Sequence, residues 1–348
     1  MKTFPACFLR LPQETSCRSA TFYLAIEEFV ARNMYLEDAY LFWWQVSPTV
    51  VMGRNQVAHK EINIDFCLSQ NIDIVRRRSG GGSVFADRGN VMWSLILKSN
   101  GRTTEDLFSE YAYTMAAALN SLGIPAVATG RNDIVLDVSV GGGKICGNAF
   151  YWIGDCCIIH GTMLYDTTMS MMTKALSPDN EKLEGAGVQS VKQRIALLKD
   201  VSKYDLQVLC TKLVSKLTNR TYELDSKDID EIECIEHNYR EKSFLWGRVA
   251  KMDFTIKRRI EGCGLIEIGI MLRGSLISKV EVTGDFFALG DANESFNNAF
   301  CNVVWAEHNI REAIMTNQPE SSIRGLSRDD LLNMLTNCIS NATYSSEN

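Results

Sequence analysis

The chain has 348 residues, 46% hydrophobic and 22% charged, with a formal net charge of −6 and a pI near 5.4. That length holds a sizeable core and two domains, the composition is ordinary for a soluble globular protein, and the acidity argues against a general nucleic-acid binder. No apolar run reaches membrane-spanning length, and the N-terminus, with Lys2 its one charge before Arg10 and interruptions at Pro5 and Pro12, resembles neither a signal nor a transit peptide. Residues 1–18 read as a lead-in strand and loop. Ser19 or Thr21 is placed to cap a helix running to Met34, with Phe22, Ile26, Phe29, Val30 and Met34 on one face. Leu41–Val46 and Thr49–Gly53 read as strands around Ser47-Pro48. Ile72–Val75 and Val91–Leu97 read as two more.

Thr103 and Asp106 form a capping box for a helix over 104–122, stopped by Gly123 and Pro125. Asp133–Val138 and Gly143–Phe150 predict a hairpin, and Cys156–Leu164 a buried strand. A helix over 168–176 ends before Pro178, and the polar segment 179–191 reads as a loop. Helices are expected over 203–218 and 226–241. The texture changes at 243–249, which divides the chain into domains 1–243 and 249–348. Beyond it, Met252–Ile260, Leu265–Leu272 and Leu276–Val282 predict an antiparallel meander. Helical patterns follow over 291–303, 307–317 and 326–338.

The eleven cysteines are scattered without a CxxC pair, and the four histidines (His59, His160, His237, His308) have no finger-like spacing with them. Reduced, buried thiols in a reducing cytoplasm are the reading.

The densest chemistry lies at Arg76-Arg77-Arg78 followed by Gly80-Gly81-Gly82, between two strands. Glycine lets backbone approach a ligand, and arginine supplies a forked donor for carboxylate or phosphate. The run is therefore either an anion cradle or a flexible basic hairpin. It is not a Walker A or Rossmann loop, because no Gly-Lys-Ser/Thr follows and the next element is a strand. Lys144 is a second candidate, on a strand directly after Gly141-Gly142-Gly143. Asn132-Asp133 reads equally as a magnesium site or a turn cap. Val50, Val51, Met52, Ile158 and Ile159 are candidate walls of an apolar slot or plain core, and His160 a satisfied buried histidine that shapes a site.

Five stretches, RRRSGGGSVFADRGN (76–90), GRNDIVL (130–136), GKICGNAF (143–150), HGTML (160–164) and KLEGAGVQSVKQRI (182–195), occur in an order that resembles the lipoate–protein ligases of the biotin/lipoate ligase superfamily. The resemblance runs from about residue 20 to 290. It implies an α/β (α+β) fold: a large catalytic domain of mixed β-sheets backed by helices, plus a small C-terminal α+β accessory domain. It also implies MgATP-dependent activation of lipoate to lipoyl-adenylate, then transfer to a lysine of a lipoyl domain in a 2-oxoacid dehydrogenase E2 subunit or a glycine-cleavage H protein, with no nucleic-acid or membrane partner.

Carried over residue by residue, the resemblance makes Lys144 catalytic. It assigns ATP and lipoyl-adenylate to Arg77, Gly80, Gly81, Gly82, Ser83, Val84, Phe85, Asn132, Asp133, Lys144, Gly147, Ala149 and Thr162. Lipoate falls to Arg77, Lys144, His160 and Gly161, and magnesium to Asp133, while Arg76 and Arg78 are solvated or support the loop. Gly185, Gly187, Ser190 and Val191 match a loop that closes over the adenylate in relatives, and Ala86 departs from a frequent histidine. Two alternatives remain at this stage. One is an ATP-independent octanoyl or lipoyl transferase with Cys146, Cys156 or Cys157 as nucleophile. The other is a non-catalytic ligase-fold binding module. A biotin ligase is disfavoured, because the run reads RRRSGGG and not GRGRxGR.

Overall fold

The computed structural model describes residues 6–12, 18–34, 39–129, 133–176, 195–247 and 251–346, with side chains to 339. Asn132, the rest of the GRN triplet, and the expected closing loop with Gly185, Gly187, Ser190 and Val191 lie outside the described residues. Contacts divide the chain into two compact units. One gathers residues up to Met52, Ala58–Arg77 and Ser83–Trp246; the other gathers Gly53–Val57, Arg78–Gly82 and residues from Gly247 onward.

In the first unit the elements are β1 (Ala6–Arg10), α1 (Ala20–Asn33), β2 (Ala39–Trp44), β3 (Thr49–Met52), α2 (Ala58–Glu61), α3 (Ile64–Ser69), β4 (Asp73–Arg76), β5 (Val84–Ala86), β6 (Asn90–Lys98) and α4 (Thr104–Ser121). There follow β7 (Ala126–Ala128), β8 (Asp133–Leu136), β9 (Lys144–Ile153), β10 (Cys156–Leu164), α5 (Met169–Ala175), α6 (Leu206–Leu217), β11 (Thr218–Glu223), α7 (Ser226–Arg240) and α8 (Lys242–Trp246). Eight strands make one mixed sheet in the order β11-β1-β2-β6-β10-β9-β8-β7, and β4-β3-β5 make a second.

The long central strands read clearly because they are buried on both faces. All nine residues of β10 are buried, and the alternation of a strand sends its side chains to two different cores. On one face, Ile158, His160 and Thr162 stand beside Met92 and Ser94 of β6 and Gly147, Ala149 and Tyr151 of β9. Helix α1 covers this face, with Tyr23 stacked on Trp44 at 4.9 Å. On the other face, Trp93, Leu95, Ile159, Gly161, Met163, Cys146 and Phe150 look toward α4, whose Phe108 meets Phe150 edge-on at 5.7 Å.

The capping box of α4 is present in both directions, Asp106 N donating to Thr103 Oγ1 and Thr103 N to Asp106 Oδ2, each at 3.2 Å. At α1 the expectation needs correction. Ser19 occupies the N-cap but does not cap the helix with its side chain. Its hydroxyl and that of Thr21 both donate to Glu236 of α7, at 2.9 and 2.6 Å, so the two residues serve helix–helix packing. Arg76 is likewise not solvated: it is buried, and its Nε donates to Leu245 O at the end of α8.

The second unit contains β12 (Phe254–Ile260), β13 (Gly264–Arg273) and β14 (Leu276–Gly284), an antiparallel meander, followed by α9 (Ala292–Phe300), α10 (Glu307–Asn317) and α11 (Arg328–Ser346). Ile266, Ile268, Ile270, Ile277, Val280 and Val282 alternate inward against Phe296, Phe300, Ile310 and Leu331 of the helices. Side chains of Asn293 and Asn297 accept from Val282 N and Val280 N, so α9 closes the open edge of β14.

The two short segments that join this unit fall by sequence within the expected first domain, 1–243. Backbone hydrogen bonds explain the difference. Arg54 N donates to Ser79 O, Gly284 N to Asn55 O and Gly81 N to Phe286 O, at 2.9 to 3.0 Å. A Cβ on Gly80 would stand 2.3 Å from Phe286 O. The first two glycines of the run therefore have packing reasons, Gly80 for close approach and Gly81 for its φ of 87°. Around Gly82 a Cβ would meet nothing within 4 Å.

Candidate active site

An irregularity in the β8–β9 ladder decides which side chains share a face of the sheet in the first unit. Asp133 pairs with Gly147 and Ile134 with Cys146, but Val135 pairs with Lys144. Ile145 is the extra residue of a β-bulge. In an unbroken strand Lys144 would share a face with Cys146, two positions on, and would point toward α4. The bulge turns it to the α1 side, with Asp133 and Gly147.

There Lys144 Nζ lies 2.8 Å from Asp133 Oδ1, both side chains about one-third exposed. That oxygen is buried and receives no aligned hydrogen bond, so the ion pair is its one polar contact among the described residues. A Cβ on Gly147 would stand 2.7 Å from Lys144 Cε and 2.8 Å from Nζ. Glycine at 147 makes the groove in which the lysine lies. Behind the lysine, Gly141, Gly142 and Gly143 all have positive φ, and Ala196 N donates to Lys144 O at 2.9 Å.

The same face continues through cross-strand pairs: Gly147 opposite Thr162, Ala149 opposite His160, and His160 opposite Ser94. Small side chains at 147, 149 and 162 leave relief on a sheet otherwise filled by large ones. His160 is buried, and Nδ1 lies 2.9 Å from both oxygens of Glu27 on α1. Ser94 Oγ donates to Glu27 at 2.6 Å, Tyr151 OH donates at 3.2 Å, and Trp44 Nε1 donates to Ser94 Oγ at 3.0 Å.

Arg77 follows β4 directly. It is 5% exposed, its Nη1 donates to Val51 O at 2.9 Å, and burial pulls its guanidinium down to about 10, against the opposing influence of Glu27. It stays charged at neutral pH, as a cation in a dry setting where its field is strong.

Other expected residues do not come onto this face. Gly161 points to the α4 side, where a Cβ would stand 2.0 Å from Asn148 Oδ1, so the packing of Asn148 by itself requires glycine there. Phe85 pairs with Val50 and packs with it, Met52 and Ile72 in a separate core, whereas Val84 faces the α1-side core beside Val51 and Ser83 precedes it half-buried. Ala86 is fully buried in the α1-side core, so a histidine there would displace packed side chains. Asp87 anchors the turn that follows, accepting from Gly89 N, Thr167 Oγ1 and Thr168 N. No sequence motif marks Glu27 as the partner of His160. The available signal was a pair of glutamates, 27 and 28, inside a helix buried on every side from Ala20 to Val30.

Residues 19–218 match the family model of the lipoyl protein ligase A/B catalytic domain, and residues 249–335 match that of the bacterial lipoate protein ligase C-terminus. The chain belongs to the lipoate–protein ligase family. It is 28% identical to lipoate–protein ligase 1 of Staphylococcus aureus over 91% of this chain and 96% of that protein, and 31% identical to lipoate-protein ligase LplJ of Bacillus subtilis over 79% and 84%. The crystal structure of P. falciparum LipL1 in complex with lipoate has the same fold, with a TM-score of 0.74 at 18% identity over 95% of this chain and 98% of that one.

In this ligase the three thiols near the site are poor nucleophiles. Cys146 and Cys157 point to the α4 side, away from Lys144 and His160. Cys156 lies at the far end of β10, with its Sγ against Ala31 O. Burial pushes the Cys157 thiol up to about 12 and Cys156 up to about 11, and raises Cys146 further still. A raised thiol pKa means less thiolate below it. At pH 8 roughly one Cys157 in 10⁴ is ionised. Iodoacetamide at that pH is therefore expected to modify exposed Cys234 first, with 146, 156 and 157 protected until the fold is lost; peptide mass spectrometry reads the order.

Proposed function

We propose that this chain is an ATP-dependent lipoate–protein ligase. One observation carries the reading: the bulge at Ile145 turns Lys144 onto the same sheet face as Thr162 and His160, beside Asp133. In the first step the lipoate carboxylate oxygen attacks the α-phosphorus of ATP, the bond to the β-phosphate breaks, and pyrophosphate leaves with its electron pair. Both reactants are anions, so a fixed ammonium lowers the barrier as charge gathers on the phosphoryl oxygens. Lys144 supplies it, with Arg77 as the second, buried cation. In the second step a lysine amine of the acceptor attacks the acyl carbonyl, AMP leaves, and the amine loses a proton as the amide forms. Lys144 serves again by facing the developing oxyanion.

The residues fit a magnesium ion that arrives with the nucleotide. Asp133 offers one carboxylate, and among the described residues no cluster of three His, Cys, Asp or Glu would hold a metal unaided. Magnesium commonly takes one or two carboxylates and completes its shell with phosphates and water. When bound, it neutralises phosphate charge. Gly82, Ser83 and Val84 are assigned to the nucleotide and acyl chain, with Ala149, Thr162 and His160. The apolar slot uses Val51 and Ile158, which face the α1-side core; each methylene it buries is worth about 0.8 kcal/mol.

We assign the reaction to residues 1–243 and an accessory role to residues 249–348. The acceptor is a lipoyl domain, of a 2-oxoacid dehydrogenase E2 subunit or a glycine-cleavage H protein, in the cytoplasm. No described helix is long and apolar enough to cross a membrane.

Lipoate-dependent exchange of labelled pyrophosphate into ATP tests the reading. Exchange is expected, and expected to survive replacement of Cys146, Cys156 and Cys157 by alanine. Absent exchange, with acyl transfer from an acylated carrier protein that needs one of those thiols, would establish the cysteine transferase instead.

A further inference from the structure

A carboxylate with no exposure to solvent is expensive. Its desolvation costs several kcal/mol unless hydrogen bonds and charges compensate, and replacing such groups by apolar residues is often neutral or stabilising. Glu27 is 0% exposed, on a helix whose residues 20 to 30 are all buried. A leucine would suit that setting by packing alone. What the glutamate adds is a convergence of donors from three strands: Ser94 on β6, Tyr151 on β9 and His160 on β10. Trp44 on β2 holds Ser94 in turn. The two hydroxyls satisfy lone pairs of the carboxylate. The third, His160, lies on the sheet face of Lys144 and Thr162.

We propose that Glu27 is a positioning residue for lipoate recognition. It keeps the proton of His160 on Nδ1 and pins that edge of the ring to α1, so that the opposite, Nε2 edge is the one presented along the face that carries Thr162, Gly147 and Ala149. Histidine tautomers are set by the bond made at the other nitrogen, and partners of this kind act through the orientation of the group they hold. The proposal rests on the ligase reading above and names a residue that reading does not use.

Four histidines in the chain make the tautomer directly measurable. Long-range proton–nitrogen correlation spectra of the full chain, with His160 assigned by its loss in His160→Gln, are expected to show the Nδ1–H form. In Glu27→Gln the side-chain amide can donate to Nδ1, and the Nε2–H form is expected to grow in. KM for lipoate should rise about 10–100-fold, the size usual for an orienting partner, while KM for ATP changes less than about twofold. Tyr151→Phe removes a different donor from the same carboxylate and should leave both constants near wild type. An Nε2–H ring in the wild type overturns the proposal. So does an unchanged KM for lipoate in Glu27→Gln, or an equal rise in Tyr151→Phe. If Glu27→Gln does not fold, the wild-type spectrum decides alone. If the wild-type chain shows no lipoate-dependent exchange, the ligase reading fails, while the spectrum, which needs no turnover, still decides whether Glu27 orients the ring.

Discussion

Lys144→Ala is expected to slow lipoate-dependent pyrophosphate exchange by on the order of 10²–10³, the loss typical when one donor that stabilises a transition-state charge is removed. The fold should survive, because the lysine side chain is about one-third exposed and its ion pair with Asp133 is partly solvated. Thermal melting should therefore stay close to wild type while the rate collapses. Gly147→Ala provides an independent check. The new methyl would strike Lys144 Cε and Nζ, the mobile end of a long side chain, at 2.7 and 2.8 Å. The lysine swings aside, so activity falls with little change in stability. Near-normal exchange in Lys144→Ala, measured with saturating lipoate and ATP, would remove the lysine from the mechanism.

Gly161→Ala is expected to do the opposite, lowering stability first. Its Cβ would lie 2.0 Å from Asn148 Oδ1 and 2.7 Å from Gly147 O. The first neighbour is a buried side chain and the second is backbone in the adjacent strand of the ladder. No rotamer change relieves a clash with backbone, so β9 and β10 must separate locally. Overpacking of this kind costs about 1–3 kcal/mol, which for a unit of this size lowers the melting temperature by several degrees. Calorimetry on the purified variant checks it. An unchanged melting temperature would mean that the glycine serves some other purpose, such as backbone access for a ligand.

The contrast between glycines 147 and 161 shows how far motif reading reaches. Both stand in matched motifs, and both carry the same expectation of ligand contact. One makes room for the Lys144 side chain and the other for the Asn148 side chain on the opposite face of the sheet. Phe85 and Val84 separate in the same way, neighbours in one motif sent by strand alternation into different cores. Arg76 and Arg77 were expected to divide into a supporting and a binding residue. Both are buried, and Arg76 reaches Leu245 O, a contact across 169 positions that no local pattern signals.

Element positions were legible where burial imposes a period. Strand β10 was expected over Cys156–Leu164 and is found there, and the meander of the second unit lies within two residues of its expected bounds. Strand β11, TNRTYE, lies between the helices expected over 203–218 and 226–241 and carries no strand signal, because it is exposed along almost its whole length and shows no apolar alternation; only its parallel pairing with β1 makes it a strand.

The sequence by itself determined the family, the order of the elements and the residue types proposed for the chemistry, because these follow from local composition and from motifs a few residues long. Tertiary structure alone decided which side of the sheet each of those residues faces. In a strand one extra residue exchanges the faces of everything beyond it, and the bulge at Ile145 that brings Lys144 to Asp133 exists only in the register between two strands.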